Sequence, residues 1–138
     1  AQAFGVKYTI PASSLNAGDK ARIQGQVKAI AQNGTDTFTV TVKIGSTTIW
    51  TSSSTDIAAN DRCVFDLWVG ATAAAGAAVD CRYGGIGGWS TSGAGPTVGG
   101  GAGNLATNGA LDVTVSITYG SSNSGNQSAL EFFSVEVT

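Results

Sequence analysis

Alternation with a period of two residues runs through most of this chain and decides its fold class. In KARIQGQVKAI (20–30), Ala21, Ile23, Gly25, Val27 and Ala29 share one parity, while Arg22, Gln24, Gln26 and Lys28 share the other. Successive side chains of a strand point to opposite faces, so this is the pattern of a half-buried strand. Residues 36–44 repeat it, with Phe38, Val40, Val42 and Ile44 set against Thr37, Thr39, Thr41 and Lys43. Gly45-Ser46 then suits a tight hairpin into TTIWT, because glycine accepts the positive φ of the first turn position. Asn33-Gly34 marks another sharp turn. RCVFDLWVG places Cys63, Phe65, Leu67 and Val69 inward and Val64, Asp66 and Trp68 outward. Further on, Val79, Cys81 and Tyr83 share a face, as do Leu111, Val113, Val115, Ile117 and Tyr119. The last segment, ALEFFSVEV, is apolar on both parities, Leu130 and Phe132 against Phe133, Val135 and Val137. That predicts a strand covered on both faces, interior or in contact with another subunit.

No segment carries a 3.6-residue apolar repeat. At 138 residues the chain can bury one core but not two. The expectation is a single all-β domain over 1–138, a two-sheet antiparallel jelly-roll sandwich of about eight strands. An immunoglobulin-like sandwich ranks second, since Trp68 follows Cys63 too closely for the Cys–Trp–Cys spacing of that fold. Residues 84–109 break the alternation: half of the twenty positions from 84 to 103 are glycine. They read as a long Gly-rich loop, either floppy or crossing the surface to a neighbour with Ile86, Trp89 and Val98 as anchors.

Charge narrows the function. Only 12% of residues are charged, about half the usual quarter, and there is no histidine. His-based catalysis and His-ligated metals are therefore excluded. The seven basic residues stand singly, without the cationic face that phosphate binding needs, so nucleic acid is not an expected partner. No apolar run reaches the ~18–20 residues of a membrane span. The opening AQAFGVKYTIP lacks a basic stretch followed by an apolar one, and a reducing cytoplasm is the expected site of folding. Strand faces so poor in charge are coated by Ser, Thr, Gly and Ala. Either this is a secreted or rigid β-domain with a Thr-rich coat, or it is a subunit that covers much of its surface with neighbours.

Chemistry finds little support. Cys63 and Cys81 fall opposite one another if the hairpin between them turns near residue 72, which permits a disulfide, although buried free thiols fit a reducing compartment better. Asp19, Asp36, Asp56 and Asp61 lie in turn-like contexts, where carboxylates accept local N–H groups. No calcium-loop spacing, GxSxG or phosphate loop occurs. No catalytic residue, metal or cofactor is expected. The aromatic residues remain: Trp50, Trp68, Trp89, Tyr83 and Tyr119 suit packing, a subunit interface or sugar stacking.

One resemblance bears on this. The segment 8–60 opens with TIPASSLNAGD (9–19), continues through NGTDTF (33–38) and reaches IGSTTI (44–49). It resembles the β-sandwich domains of tailed-phage virion proteins, among them capsid decoration (cement) proteins, head fibres and receptor-binding tips. The resemblance implies a jelly roll, commonly a homotrimer, mounted on a virion, with no catalytic residues. On that footing the expected function is a decoration subunit, made in the host cytoplasm, that binds the major capsid protein on the outer capsid surface and stabilises the head. An N-terminal arm (1–8) with Phe4, Val6 and Tyr8 would contact the capsid. Trp68, Trp89, Phe133 and Val135 would form the subunit interface. The alternative is a receptor- or carbohydrate-binding module of a tail or head fibre, with glycans stacked on Tyr83 and Trp89.

Overall fold

Ten strands and no helix make up the described residues of this computed structural model, which are 2–91, 94–121 and 123–138. The strands are β1 (Gln2–Ile10), β2 (Lys20–Ala31), β3 (Thr37–Ile44), β4 (Thr47–Thr51), β5 (Thr55–Asp56), β6 (Arg62–Ala71), β7 (Val79–Trp89), β8 (Thr97–Leu105), β9 (Leu111–Tyr119) and β10 (Gln127–Val137). They form two antiparallel sheets packed face to face, the sandwich expected from the alternation. The first has the order β1-β9-β3-β4, with β5 also on β3; the second has the order β10-β2-β6-β7-β8.

Inward parities build the core as the sequence predicts. Ala21, Ile23, Val27 and Ala29 of β2 and Cys63, Phe65, Leu67 and Val69 of β6 are buried. They face Phe38, Val40, Val42 and Ile44 of β3 and Val113, Val115 and Ile117 of β9. The Gly45-Ser46 hairpin forms with φ of 58° at Gly45, and Gly34 turns at 61°.

The ten strands exceed the expected eight because two supposedly irregular segments are strands and the two-residue β5 pairs with β3. Residues 2–10 are not an arm: β1 pairs with β9, anchored by Thr9 Oγ1 (2.7 Å) and Lys7 Nζ (3.2 Å) donating to Asp112. Ala1 lies outside the described residues. A bulge between Ala3 and Lys7 lets this strand bend along the edge of its sheet.

The Gly-rich stretch is likewise no loop. Gly84 to Trp89 continue β7, and β8 pairs with it from Thr97 to Leu105; Ser92 and Gly93 lie outside the described residues. Here glycine makes room for aromatic rings. Phe65 lies between inward-facing Gly25 and Gly87 on the neighbouring strands. A methyl group at Gly87 would stand 2.8 Å from Trp50 Cζ2 and 2.9 Å from Phe65 Cβ, and one at Gly99 would stand 2.8 Å from Trp50 Cδ1. Trp50 thus reaches from β4 onto bare backbone of β7 and β8. Its Nε1 donates to Thr97 O at 3.1 Å, and its ring centroid sits 6.0 Å from that of Phe65. This closes one side of the sandwich.

Two further expectations need correction. β10 is the edge of its sheet, paired only with β2. Its two-sided apolar pattern comes from a bulge at Glu131: Leu130 aligns with Val27 and Phe133 with Gly25, so both point inward and Phe132 alone points out. The cysteines do not face one another. Strand β6 runs on to Ala71, which aligns with Cys81, while Cys63 aligns with Trp89. Eight residues of strand separate the two thiols, roughly 26 Å at ~3.3 Å per residue, far beyond disulfide reach. Both are free and buried.

Candidate functional site

The outward face of the second sheet departs most from an ordinary solvated surface. Its cross-strand rows follow from the register. One carries Phe132, Gln26, Val64 and Gly88; the next Ser134, Gln24, Asp66, Ile86 and Val98; the third Glu136, Arg22, Trp68, Gly84 and Gly100. Val64, Trp68, Ile86, Val98 and Phe132 are all exposed, Val98 at 76% and Trp68 at 43%. Single exposed apolar residues are common, but five on adjoining rows form a patch of the kind that marks binding.

Trp68 is held in place by what its neighbour lacks. A Cβ at Gly84 would lie 3.1 Å from Cζ2 and 3.3 Å from Cε2 of the indole. The ring therefore rests over the backbone of β7. Beside it across β2 and β6, Arg22 donates to Asp66 from Nε at 3.1 Å and from Nη2 at 2.8 Å. Hydrogen bonding from Arg22 holds the Asp66 carboxyl below its usual range despite an opposing contribution from burial, and the same bond raises Arg22. Both stay ionised, as a two-pronged neutral pair. With Lys20, Trp68, Ile86 and Glu136 they line a groove of about 590 Å³. A shallower cleft of about 360 Å³ continues past Val64 and Ile86 towards Pro96.

The residues singled out from sequence are distributed unevenly. Trp68 is exposed, as its parity predicts. Trp89 is only 4% exposed and meets Phe38 edge-on with centroids 6.1 Å apart. It is therefore a core residue, available neither to a subunit nor to a glycan. Val135 is buried as well, because the bulge turns it inward. Phe133 is half-buried against the core. Tyr83 faces inward over Gly101, is half-buried, and donates to Ala102 O at 3.3 Å. Of the N-terminal set, Val6 and Tyr8 are exposed and Phe4 packs partly against the core. Sequence reasoning missed the alignment of Ile86 and Val98 with Asp66, since both lie in glycine strands that read as loop; their shared parity with Gly84 was the available signal.

The acidic residues act structurally. Asp19 accepts from Asn16 N and Asp61 from Ala58 N, as turn carboxylates do. Asp36 accepts from Ser121 Oγ and from Asn126 Nδ2, tying the turn after β2 to the one after β9. Among the described residues no three His, Cys, Asp or Glu side chains gather as a metal ion would require. No helix there is long and apolar enough to cross a membrane. No family model, curated protein or solved structure matches this chain.

Proposed function

We propose that this chain is a virion structural subunit, a capsid decoration (cement) protein of a tailed phage that acts as a homotrimer on the outer capsid surface. The resemblance in residues 8–60 supports this reading. The observation that carries it is the asymmetry of the sandwich. Trp50 seals one side, where β4 lies against β8. On the other side the edge strands β1 and β10 meet, each with an unpaired backbone edge. The two edge strands carry Val6, 56% exposed, with Tyr8 and Phe132 also exposed and Phe4 and Phe133 half-buried against the core.

Exposed apolar edges invite pairing with another chain unless they are covered. Neighbouring copies and the capsid lattice would supply that cover. Each copy would span adjacent major capsid protein subunits, so parting a lattice seam would also require losing the decoration contacts. The mechanism is passive and uses no reactive group.

Native mass spectrometry at micromolar concentration is expected to show about three chains per particle. The double variant Val6→Glu, Tyr8→Glu is expected to dissociate them with the sheet spectrum unchanged. A parent protein that stays monomeric, or that is missing from the heads in averaged images of virions, refutes the reading.

A further inference from the structure

We propose that the groove beside Trp68 is a binding site for a neutral saccharide, with one pyranose ring lying on the exposed face of the indole and its hydroxyls meeting Arg22 and Asp66. The inference does not depend on where the protein resides.

Three features carry it. The first is the platform. Trp68 is packed against Gly84 on one face, so its other face is presented without first having to be ordered. A pyranose has an apolar face of C–H groups that covers such a ring, with Ile86 continuing the apolar wall.

The second is the polar edge. Asp66 takes two of the five N–H donors of Arg22, which leaves the others free; the carboxylate likewise retains open lone pairs. Donors and acceptors therefore stand side by side in one plane. Each sugar hydroxyl both donates and accepts, so a pair of adjacent hydroxyls matches this edge.

The third is charge. The ionised side chains of the lining are Lys20, Arg22, Asp66 and Glu136, two cations and two anions. The groove is rich in charged hydrogen-bonding groups, yet the charges of its side chains balance. That balance disfavours phosphate and polyanions, which need an excess of positive charge. It favours a neutral polyhydroxylated ligand. The volume of about 590 Å³ lies within the usual range of small-molecule sites.

The test is an array of neutral and acidic oligosaccharides probed with the full chain, followed by titration of the hit. Trp68 is the exposed tryptophan while Trp50 and Trp89 are buried, so the acrylamide-quenchable part of the intrinsic fluorescence reports on this ring. A neutral oligosaccharide is expected to shift the emission saturably and to shield it from acrylamide. Trp68→Ala should weaken binding about tenfold or more, as truncation of a stacking aromatic does, while Trp68→Tyr retains part of it. Arg22→Gln should weaken binding without altering the emission of the free protein. Both positions are exposed, and an unchanged melting curve identifies variants that are folded. The proposal is overturned if no neutral saccharide binds at millimolar concentration, if the hits are acidic and lost with salt, or if folded Trp68→Ala binds as the parent does. Capture of a protein partner by the same face in place of any sugar also overturns it.

Discussion

Substituting alanine at Gly85 separates a glycine strand from a glycine loop. Gly85 faces inward opposite Leu67 and holds a φ of 141°, a conformation that L-residues rarely adopt. Its missing Cβ would run into the carbonyl oxygen of Asp66 and stand 2.6 Å from Leu67 Cα. Both are backbone atoms of β6, fixed in the ladder, so no rotamer change relieves the clash. Backbone strain of this kind costs about 1–3 kcal/mol and overpacking about 1–3 kcal/mol more. Together they predict a loss of roughly 2–6 kcal/mol, a large share of the ~5–15 kcal/mol that holds a typical domain folded. At this chain length the melting point should fall by roughly 10–20 °C. The control is Gly100→Ala on the partner strand, where the nearest atom, Tyr83 O, is 3.8 Å away. There the lower entropy of the unfolded chain should leave stability unchanged or raise it by up to about 1 kcal/mol. Urea unfolding followed by circular dichroism measures both variants, and an unchanged slope confirms that the midpoints compare stability. If the segment were a loop, the two would behave alike. Gly85→Ala within about 0.5 kcal/mol of the parent would refute the packing argument.

Acid should be the weak side of the stability profile. Asp36 is held below the usual carboxylate range by hydrogen bonds from Ser121 and Asn126, Asp112 by Thr9 and Lys7, and Glu131 by Gln26 and Arg62. A depressed folded-state value means that this stabilisation is complete above the unfolded values near ~4 and is lost as pH falls through the folded ones. With no histidine, the urea midpoint should stay flat from about pH 7 to 5 and drop below about pH 4, and Asp36→Asn should flatten part of that drop. A midpoint that rises on acidification contradicts the sign. For the cysteines, burial pushes the Cys63 thiol up to about 12 and also raises Cys81, with the Asp80 charge adding to the latter. A thiol reagent at about pH 8 should leave both unmodified in the folded protein and label both in unreduced urea; failure to label in urea would reveal a bridge.

How much of this was legible in sequence depends on whether a strand packs with its own side chains. Strands β2, β3, β6 and β9 do, and the parity of Ile23, Phe38, Phe65 and Val113 placed every one of them correctly. The glycine stretches of β7 and β8 do not: their inward positions Gly85, Gly87 and Gly99 contribute space, and the atoms that fill it belong to Leu67, Phe65 and Trp50. A periodicity of apolar residues cannot register a strand whose packing partner supplies the bulk. Parity also fails where the ladder slips. One extra residue at Glu131 reassigned Phe133 and Val135 to the core, and continuing β6 to Ala71 moved Cys81 away from Cys63. Trp68 was read correctly because it lies in a regular strand, whereas Trp89 was misplaced with the segment that contains it.

The same bare strand links the core to the candidate site. Along β7, Gly85 and Gly87 face inward, beneath the rings that fill the interior, while Gly84 and Gly88 face outward. Trp50 therefore presses on one side of the strand and Trp68 on the other. Because Gly84, Gly85 and Gly87 carry no side chains, the backbone there stands between the two indoles, with Ile86 as the one bulky outward group among them. Its flatness rests on the ladders to β6 and β8 and on the bond from Trp50 Nε1 to Thr97 O. The groove floor is thus only as firm as the seal at the β4 edge. Trp50→Phe, which keeps a ring but removes that donor, should loosen β8 and weaken the proposed sugar binding at Trp68 while leaving the opposite edge, and with it the proposed trimer, untouched. Loss of the trimer together with sugar binding would mean that the two surfaces are not separate, and the division of labour between the sandwich's open edge and its outer face would have to be abandoned.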